Sequence, residues 1–428
     1  MIIRKNVKEL SATEKANYVN GVKALKTSGT YNSYVQTHNE AMNHTTPNGS
    51  NAAHKGPAFL PWHREFILRL EKDIRTAIGD PNFGLPYWDW AADAALPDPK
   101  QGPVWAADFM GGEGTPVMTG PFRSGQWTLW PSGSLVRAFA QSVPTLPTSA
   151  DVAGALAVTP YDSTNWNTGS NPSFRNKLEG WINGPQLHNR VHVWVGGSML
   201  PMTSPNDPVF FLHHCNVDRI WAAWQSRNPG LYLPTSGGPT GHNLNDQMWP
   251  WNTTNDQRTP AGELNYPALG YMYDLVSIGS VQFPNVFLRM DGNGVTQPVG
   301  SGGGTVNCQY TVGPWEKFRL VPQSDGTVAI GSVQFPNVYL RMDGNGVTHP
   351  VGPGGGTVNC QYTVGPWEKF RLLPQGDGTV AIGSVQFPNV YLRMDGNGVT
   401  HPVGPGGGTV NCQYTVGPWE KFRLTPIM

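Results

Sequence analysis

Six histidines fall into two groups of three in the first half of the sequence, with no carboxylate interleaved at a ligand-like position. The groups are His38, His54 and His63, followed by His188, His192 and His214. Neutral imidazole is a common ligand of copper and zinc, whereas magnesium and calcium prefer oxygen ligands. Two sites of three imidazoles in one domain therefore predict a pair of copper or zinc ions.

The first group is expected on helices. Ser11 and Glu14 have the spacing of a capping box, which predicts a first helix that runs to Lys26. The next helical stretch, TYNSYVQTHNEAM, carries His38. His38 is therefore predicted to project from the second helix of the chain.

A longer helix is predicted between Pro61 and Gly79, because proline suits a first helical position and glycine suits a helix end. Apolar residues recur there every fourth position and His63 shares their face, so its imidazole is expected to be buried and to need a partner. His54 lies in the loop that leads into this helix. His44, in a polar loop, is interpreted as a surface residue or as a residue behind the ligands.

The second group is carried by two further predicted helices. His188 and His192 are four residues apart in QLHNRVHVW, which places both on one face of a helix. In SPNDPVFFLHHCNVDRIWAAWQ, Asp207 is expected at the N-cap, Pro208 at the first helical position and His214 on the buried face. Together the two helices supply three imidazoles.

Two neighbours of His214 bear on the site. His213 points about 100° away from His214 around a helix, so only one of the two is expected to bind metal. Asp218, one turn further on, is expected either to fix a neighbouring helix or ligand ring as an acceptor, or to form a salt bridge with Arg219 or Arg190. The sequence leaves both alternatives open.

The sequence changes character near residue 276. IGSVQFPNVFLRMDGNGVTQPVG starts at Ile278, and near-copies start at Ile330 and Ile382, which gives three repeats with a period of 52 residues. The repeats are residues 278–329, 330–381 and 382–428. Each contains about four short β-rich runs separated by turn residues. Three such units can close around a threefold axis as a β-trefoil, and part of a propeller is the alternative.

The repeats have features of a binding or covering module. Their phrases GPWEKFRL and YLRMDGNG resemble the repeats of fascin-type trefoil domains, over residues 278–428. Near-identical copies present the same groups three times, which favours multivalent binding of a carbohydrate or another surface. One cysteine per repeat occupies an equivalent position, and these thiols are expected to be buried, with at least one unpaired. They are Cys308, Cys360 and Cys412.

Composition limits the classes of partner. Lysine plus arginine and aspartate plus glutamate number 29 each, so no polyanion-binding surface is implied and nucleic acid is disfavoured as a partner. The N-terminal stretch MIIRKNVKELSATEKANYV is polar and charged without an apolar signal core, and no later window reaches the length of a membrane span. The location stays open between the cytoplasm and export by a route that the sequence does not show.

Five phrases make residues 1–276 similar to tyrosinases, above all to the short bacterial enzymes. They are NAAHKGPAFLPWHREFILRLE, LPYWDW, GPFRSGQW, LHNRVHVWVGG and SPNDPVFFLHHCNVDRIW, in the expected order. The resemblance implies an antiparallel four-helix bundle around a type 3 pair of copper ions. It also implies that O2 is used to hydroxylate monophenols and to oxidise catechols to ortho-quinones, as in melanin biosynthesis. The implied ligands are His38, His54 and His63 for one copper, and His188, His192 and His214 for the other.

The same resemblance assigns further roles. Glu179 would polarise and Asn189 would orient a water that takes the phenol proton, whose pKa is near 10. On its residues alone, Glu179 would be interpreted as a structural partner of Arg175 or Arg190. The substrate entrance is expected to be lined by Trp181, Val193, Met199 and Met202.

The sequence thus predicts a mainly α catalytic domain over residues 1–276 and an all-β β-trefoil over residues 277–428. A catechol or ortho-aminophenol oxidase without efficient hydroxylation, or an oxygen carrier of the haemocyanin kind, would use the same copper pair. A binuclear zinc hydrolase is disfavoured, because such sites usually recruit carboxylate ligands. The expected partners are a phenolic substrate and O2, with a copper-delivery protein as a further candidate. The repeats would either bind carbohydrate or cover the active site as a lid.

Overall fold

A computed structural model describes the chain from Met1 to Met428, which forms two compact units. The first, here called the helical unit, comprises Lys5–Leu264 together with Met428. The second, here called the β unit, comprises Asn265–Ile427 together with Met1–Arg4. All eight α-helices lie in the helical unit. None of the helices combines the length and the apolar character that crossing a bilayer requires.

The bounds of the helices are α1 Ala12–Ser28, α2 Thr30–Glu40, α3 Phe59–Ile78, α4 Trp90–Asp93, α5 Ser149–Leu156, α6 Phe174–Glu179, α7 Leu187–Val195 and α8 Val209–Arg227. The predicted capping box of α1 is confirmed, because the hydroxyl of Ser11 accepts from the Glu14 N–H and the Glu14 carboxylate accepts from the Ser11 N–H. α3 begins at Phe59, two residues before the predicted Pro61, and ends as predicted at a left-handed Gly79 with φ 67°.

The start of α8 differs from the prediction by one residue. The N-cap of α8 is Pro208 and its first residue is Val209, whereas Asp207 was expected at the cap. Asp207 still accepts from the Val209 N–H at 3.1 Å, but both its carboxylate oxygens also bind the buried Arg137, at 2.7 and 2.8 Å. The ion pair thus holds the Asp207 side chain in place just before the helix.

Helices α3 and α8 form the centre of the helical unit. α3 packs against α1 and α8, and α7 packs against α6 and α8. Every residue of α8 from Val209 to Gln225 is buried, including its polar ones. Because a buried polar group costs free energy unless it is paired, each histidine of α8 needs a partner inside this core.

The strands are β1 Ile2–Arg4, β2 Asn252–Thr253, β3 Asp256–Gln257, β4 Tyr271–Tyr273, β5 Leu275–Ser280, β6 Phe287–Asp291, β7 Thr305–Gln309, β8 Phe318–Pro322, β9 Val328–Ser332, β10 Tyr339–Asp343, β11 Thr357–Gln361, β12 Phe370–Pro374, β13 Val380–Ser384, β14 Tyr391–Asp395, β15 Thr409–Gln413 and β16 Phe422–Pro426. β2 and β3 form a small hairpin in the helical unit, and β1 pairs with β4 in parallel in the β unit. The other twelve strands form one sheet, to which each repeat contributes four.

Six strands of the β unit close into a ring in the order β5, β8, β9, β12, β13, β16 and back to β5, and all neighbours are antiparallel. The remaining strands form the hairpins β6–β7, β10–β11 and β14–β15. The hairpins share one register, in which a buried leucine opposes a buried cysteine: Leu288 and Cys308, Leu340 and Cys360, and Leu392 and Cys412. These three thiols are buried, as predicted, and all of them are unpaired, where at least one was expected to be.

Candidate metal centre

The first histidine group forms one cluster in the helical unit. His38 projects from α2, His63 projects from α3, and His54 belongs to the loop before α3. Each offers a ring nitrogen, and these nitrogens lie within 4.8 Å of one another. Residues from two helices and one loop therefore converge in one cluster.

Backbone carbonyls orient two of these rings. The Nδ1 of His38 lies 2.7 Å from the carbonyl of Met202, and the Nδ1 of His63 lies 2.8 Å from that of Phe59. A carbonyl only accepts, so Nδ1 donates in both rings and Nε2 carries the lone pair. Both Nε2 atoms are buried and have no hydrogen-bond partner in the protein, and in His54 the buried nitrogen without a partner is Nδ1. Buried nitrogens that lack a protein partner fit a metal ion.

The second group also converges. The Nδ1 of His192 lies 2.7 Å from the carbonyl of Met199, and its buried Nε2 has no protein partner. The Nδ1 of His188 lies 3.2 Å from the Glu179 carbonyl and 3.0 Å from the Asn189 Oδ1. The Nε2 of His188 lies 3.3 Å from the Nε2 of His214. A contact of this length requires either a proton on one of the two nitrogens or a cation between them.

His213 lies in the same cluster, although it was expected to point about 100° away from His214 around the helix. Its ring centroid lies 5.1 Å from that of His188, with 19° between the planes, and both its nitrogens are buried without a protein partner. The ring of His188 is also 4.9 Å from that of His214. His188 of α7 thus contacts two consecutive residues of α8, His213 and His214.

Burial keeps the imidazoles neutral. It lowers the pKa of His38 to about 3 and that of His192 to about 4. Burial is also the largest cause that lowers the pKa of His54, His63, His188, His213 and His214 well below the ordinary value, and neighbouring imidazoles lower it further. A neutral imidazole keeps the lone pair that metal binding requires.

A cavity of about 340 Å³ opens beside both clusters, and it is lined in part by His38, His54, His188 and His192. Three predicted entrance residues, Trp181, Val193 and Met202, line it as well. Met199 is fully buried and is not among its lining residues; its contribution is the carbonyl that orients His192. Lys55 also lines the cavity, although the sequence did not single it out.

Glu179 ends α6 and lies behind the second cluster. Its Oε1 accepts from the Lys55 N–H at 2.6 Å, and its Oε2 pairs with the Nη1 of Arg175 at 2.9 Å. Burial raises the pKa of Glu179, against the opposing effect of Arg175. Asn189 lines the cavity, whereas Glu179 does not. The structural partnership with Arg175 that the sequence suggested is therefore present.

Asp218 and His44 both contact residues from distant parts of the chain. Asp218 accepts from the Nε of Arg64 at 2.5 Å, which fits the alternative in which Asp218 fixes a neighbouring helix. The buried pair ties α8 to α3 next to His63, because Arg64 follows it in the chain. His44, expected at the surface, is exposed and stacks on Trp249 at 4.1 Å between ring centroids.

Comparison with known proteins also indicates a metal-dependent family. Residues 28–227 match the family described as the common central domain of tyrosinase. A tyrosinase of Streptomyces antibioticus is 45% identical over 278 residues, which covers 62% of this chain and 97% of that protein. A tyrosinase of Streptomyces glaucescens is 44% identical over 286 residues, with coverages of 64% and 99%. A grixazone synthase of Streptomyces griseus is 38% identical over 314 residues, with coverages of 64% and 99%.

The matched relatives are covered almost end to end, and the two clusters of neutral imidazoles suit a binuclear site. Copper, unlike zinc, also supplies the electron transfer that oxidation by O2 requires. The chain belongs to the tyrosinase family, and it is a copper-dependent phenol oxidase with a pair of copper ions as its cofactor.

Proposed function

We propose that the chain uses O2 to hydroxylate monophenols beside their hydroxyl group and to oxidise the resulting catechols to ortho-quinones. The observation that carries this proposal is the set of buried imidazole nitrogens, without protein partners, beside one cavity. When bound, the copper pair activates O2 and takes electrons from the phenol. The proposed ligands are His38, His54 and His63 for one copper, and His188, His192 and His214 for the other.

The protein holds these ligands neutral and correctly aimed. The Nδ1–H groups of His38, His63 and His192 donate to backbone carbonyls, which fixes both the tautomer and the ring orientation. Their lowered pKa values keep the opposite nitrogens unprotonated at neutral pH. Metal binding therefore does not have to displace a proton from these rings.

His214 is the proposed third ligand of the second copper, in preference to His213. Its ring stacks on that of His63 in the first cluster, with 4.2 Å between centroids, and its Nε2 faces the Nε2 of His188. His213 stacks on His188 and is proposed to pack behind that ligand ring.

Asn189 and Glu179 are proposed to hold the water that takes the phenol proton. The Oδ1 of Asn189 lies 3.0 Å from the His188 Nδ1, so its amide N–H groups stay available to orient a water in the cavity. Burial raises the pKa of Glu179, which strengthens its carboxylate as a base. Because both its oxygens already accept from protein groups, Glu179 would act through the water rather than on the phenol itself.

A second candidate is oxidation of catechols or ortho-aminophenols without efficient hydroxylation. One similar protein is named grixazone synthase and not tyrosinase, which makes an activity other than tyrosine hydroxylation a second candidate. Oxygen uptake by the copper-loaded protein on tyrosine, on a catechol and on an ortho-aminophenol separates the two. Uptake on all three supports hydroxylation, whereas uptake on the last two alone supports the second candidate. The zinc-loaded protein is the control, because zinc does not change its oxidation state.

For the rest of the chain we propose a catalytic domain over residues 1–276, built on an antiparallel four-helix bundle, and a β-trefoil over residues 277–428. The closed ring of six strands with three hairpins in one register supports the trefoil. Its proposed role is multivalent binding of a carbohydrate or another surface. Exposed Asn285, Asn337 and Asn389 share the same left-handed backbone, and this equivalence of the repeats supports the proposed role.

A further inference from the structure

The cavity beside the histidine clusters is lined by one lysine and by no acidic residue. Lys55 is the only lysine, arginine, aspartate or glutamate among its lining residues. The remaining lining residues are apolar, or are uncharged polar residues such as Asn51 and Ser204. A substrate that enters the cavity therefore meets a positive charge and no negative one.

The Lys55 ammonium has no carboxylate partner. The carboxylate that touches Lys55 belongs to Glu179, but it accepts from the Lys55 backbone N–H and forms its ion pair with Arg175. The Lys55 Nζ lies 5.6 Å from the centroid of the Trp181 ring, which also lines the cavity. Lys55 directly follows His54 in the chain, which keeps its side chain close to the first cluster.

The backbone around Lys55 is held in an unusual conformation. Lys55 has a left-handed φ of 61°, which few residues other than glycine adopt. The bond from its N–H to Glu179 keeps it there, and the next turn of the loop is fixed by the Ala58 N–H, which donates to the Nδ1 of His242 at 3.1 Å. Held backbone strain is typical of functional sites, and here it sets the direction of a side chain at the cavity wall.

We propose that Lys55 binds a carboxylate of the substrate, so that the preferred substrates are phenols that carry a carboxylate on a short side arm. The phenol ring would lie near His188 and Asn189, the arm would pass along Trp181, and the carboxylate would pair with the ammonium. This inference rests on the proposed phenol oxidation. A charge pair in a partly enclosed cavity is screened less than one at the surface, so the pair can discriminate between substrates.

Matched catechols test the inference in the copper-loaded protein. The substrates are 3-(3,4-dihydroxyphenyl)propionate and its methyl ester, which have the same ring and arm but differ in charge. We expect Lys55→Gln to lower kcat/KM for the acid about tenfold, mainly through KM, and to change that for the ester less than twofold. Lys55→Arg should restore the preference for the acid. Lys72→Gln, which removes an exposed charge on α3, is the matched control.

The outcomes separate a failure of the inference about Lys55 from a failure of the proposed phenol oxidation. If the wild type oxidises both catechols and Lys55→Gln leaves the acid-to-ester ratio unchanged, or lowers both rates equally, the inference is overturned while the proposed function stands. If neither catechol is oxidised, the proposed function fails and the inference fails with it. Calorimetric binding of 3-phenylpropionate and its amide, which lack the hydroxyl group, gives a second readout. The acid should bind more tightly only when Lys55 or Arg is present, and tight binding retained in Lys55→Gln would indicate direct binding to copper instead.

Discussion

The imidazole rings of His63 and His214 stack with 4.2 Å between their centroids and 14° between their planes. His63 comes from α3 and His214 from α8, so this contact joins the two histidine clusters. Each ring is therefore both a proposed ligand of one copper and a wall of the site for the other. The loss of either ring should be felt at both copper positions.

Replacement of these two rings tests the ligand assignment. We expect His63→Ala and His214→Ala each to bind at most one copper per chain and to lose phenol oxidation, because the copper that loses a ligand keeps only two imidazoles. His44→Ala, at an exposed histidine, should keep two coppers and full activity. Metal analysis of the purified proteins provides the measurement. Two coppers per chain in either cluster variant would show that the assignment is wrong.

Glu179 and Asn189 should matter more for monophenols than for catechols. Glu179→Gln and Asn189→Ala are expected to slow tyrosine hydroxylation about tenfold more than catechol oxidation, because a catechol ionises more readily than a monophenol. A tenfold loss corresponds to about 1.4 kcal/mol of barrier. The ratio of the two rates is the useful quantity, since Glu179→Gln also weakens the ion pair with Arg175. Equal losses on both substrates would limit these residues to a structural role.

The buried pair of Arg64 and Asp218 should stabilise the helical unit against unfolding. Asp218→Ala leaves the Arg64 guanidinium buried without its carboxylate, and loss of one partner of a buried pair costs about 3–5 kcal/mol. Lys100→Ala breaks the exposed pair with Glu113 and should cost less than about 1 kcal/mol. Urea unfolding followed by the helical circular dichroism signal compares the two. Similar losses in both variants would contradict the expectation.

The buried histidines should destabilise the metal-free protein in acid. The pKa of His192 is about 4 in the folded protein and about 6.5 when unfolded, so its contribution to stability is complete above pH 6.5 and is lost as the pH falls towards 4. Between pH 6 and 4.5 this amounts to about 1.4 kcal/mol per pH unit for one proton. His192→Gln should reduce the pH slope of the unfolding free energy by about that amount, whereas His44→Gln should not. An unchanged slope in His192→Gln would mean that the ring is protonated while folded.

Local patterns predicted much of this arrangement, and tertiary contacts decided the rest. The capping box of Ser11 and the left-handed end at Gly79 depend on neighbouring residues only, so they could be read from the sequence. The N-cap of α8 was predicted at Asp207, one residue too early. The carboxylate of Asp207 is bound by Arg137, from a distant part of the chain, and the local pattern does not reveal this contact. The position of His213 depends on how α7 crosses α8, which helical geometry within α8 does not contain.

A sequence also does not show whether a residue contributes its side chain or its backbone to a site. Met199 was expected to contribute its side chain to the substrate entrance, but it is the carbonyl of this residue that orients His192. No pattern in the sequence distinguishes Lys55 from other lysines, which are usually solvated and paired. Its significance depends on the uncharged lining around it and on the carboxylate of Glu179 being paired with Arg175.

Removal of the repeats separates the two proposed roles of the β unit. A chain that ends at Asp274 keeps β4, which pairs with β1, and loses every strand from β5 onward. If the repeats form a binding module, this chain should oxidise catechol within about twofold of the full-length rate and should lose retention on an insoluble polysaccharide such as chitin or cellulose. Three equivalent sites would make the full-length retention stronger than any single site provides. Copper content, measured in both proteins, controls for damage to the histidine clusters. A lid predicts the opposite result: with copper content unchanged, turnover would rise several-fold on truncation and polysaccharide retention would be absent from both chains.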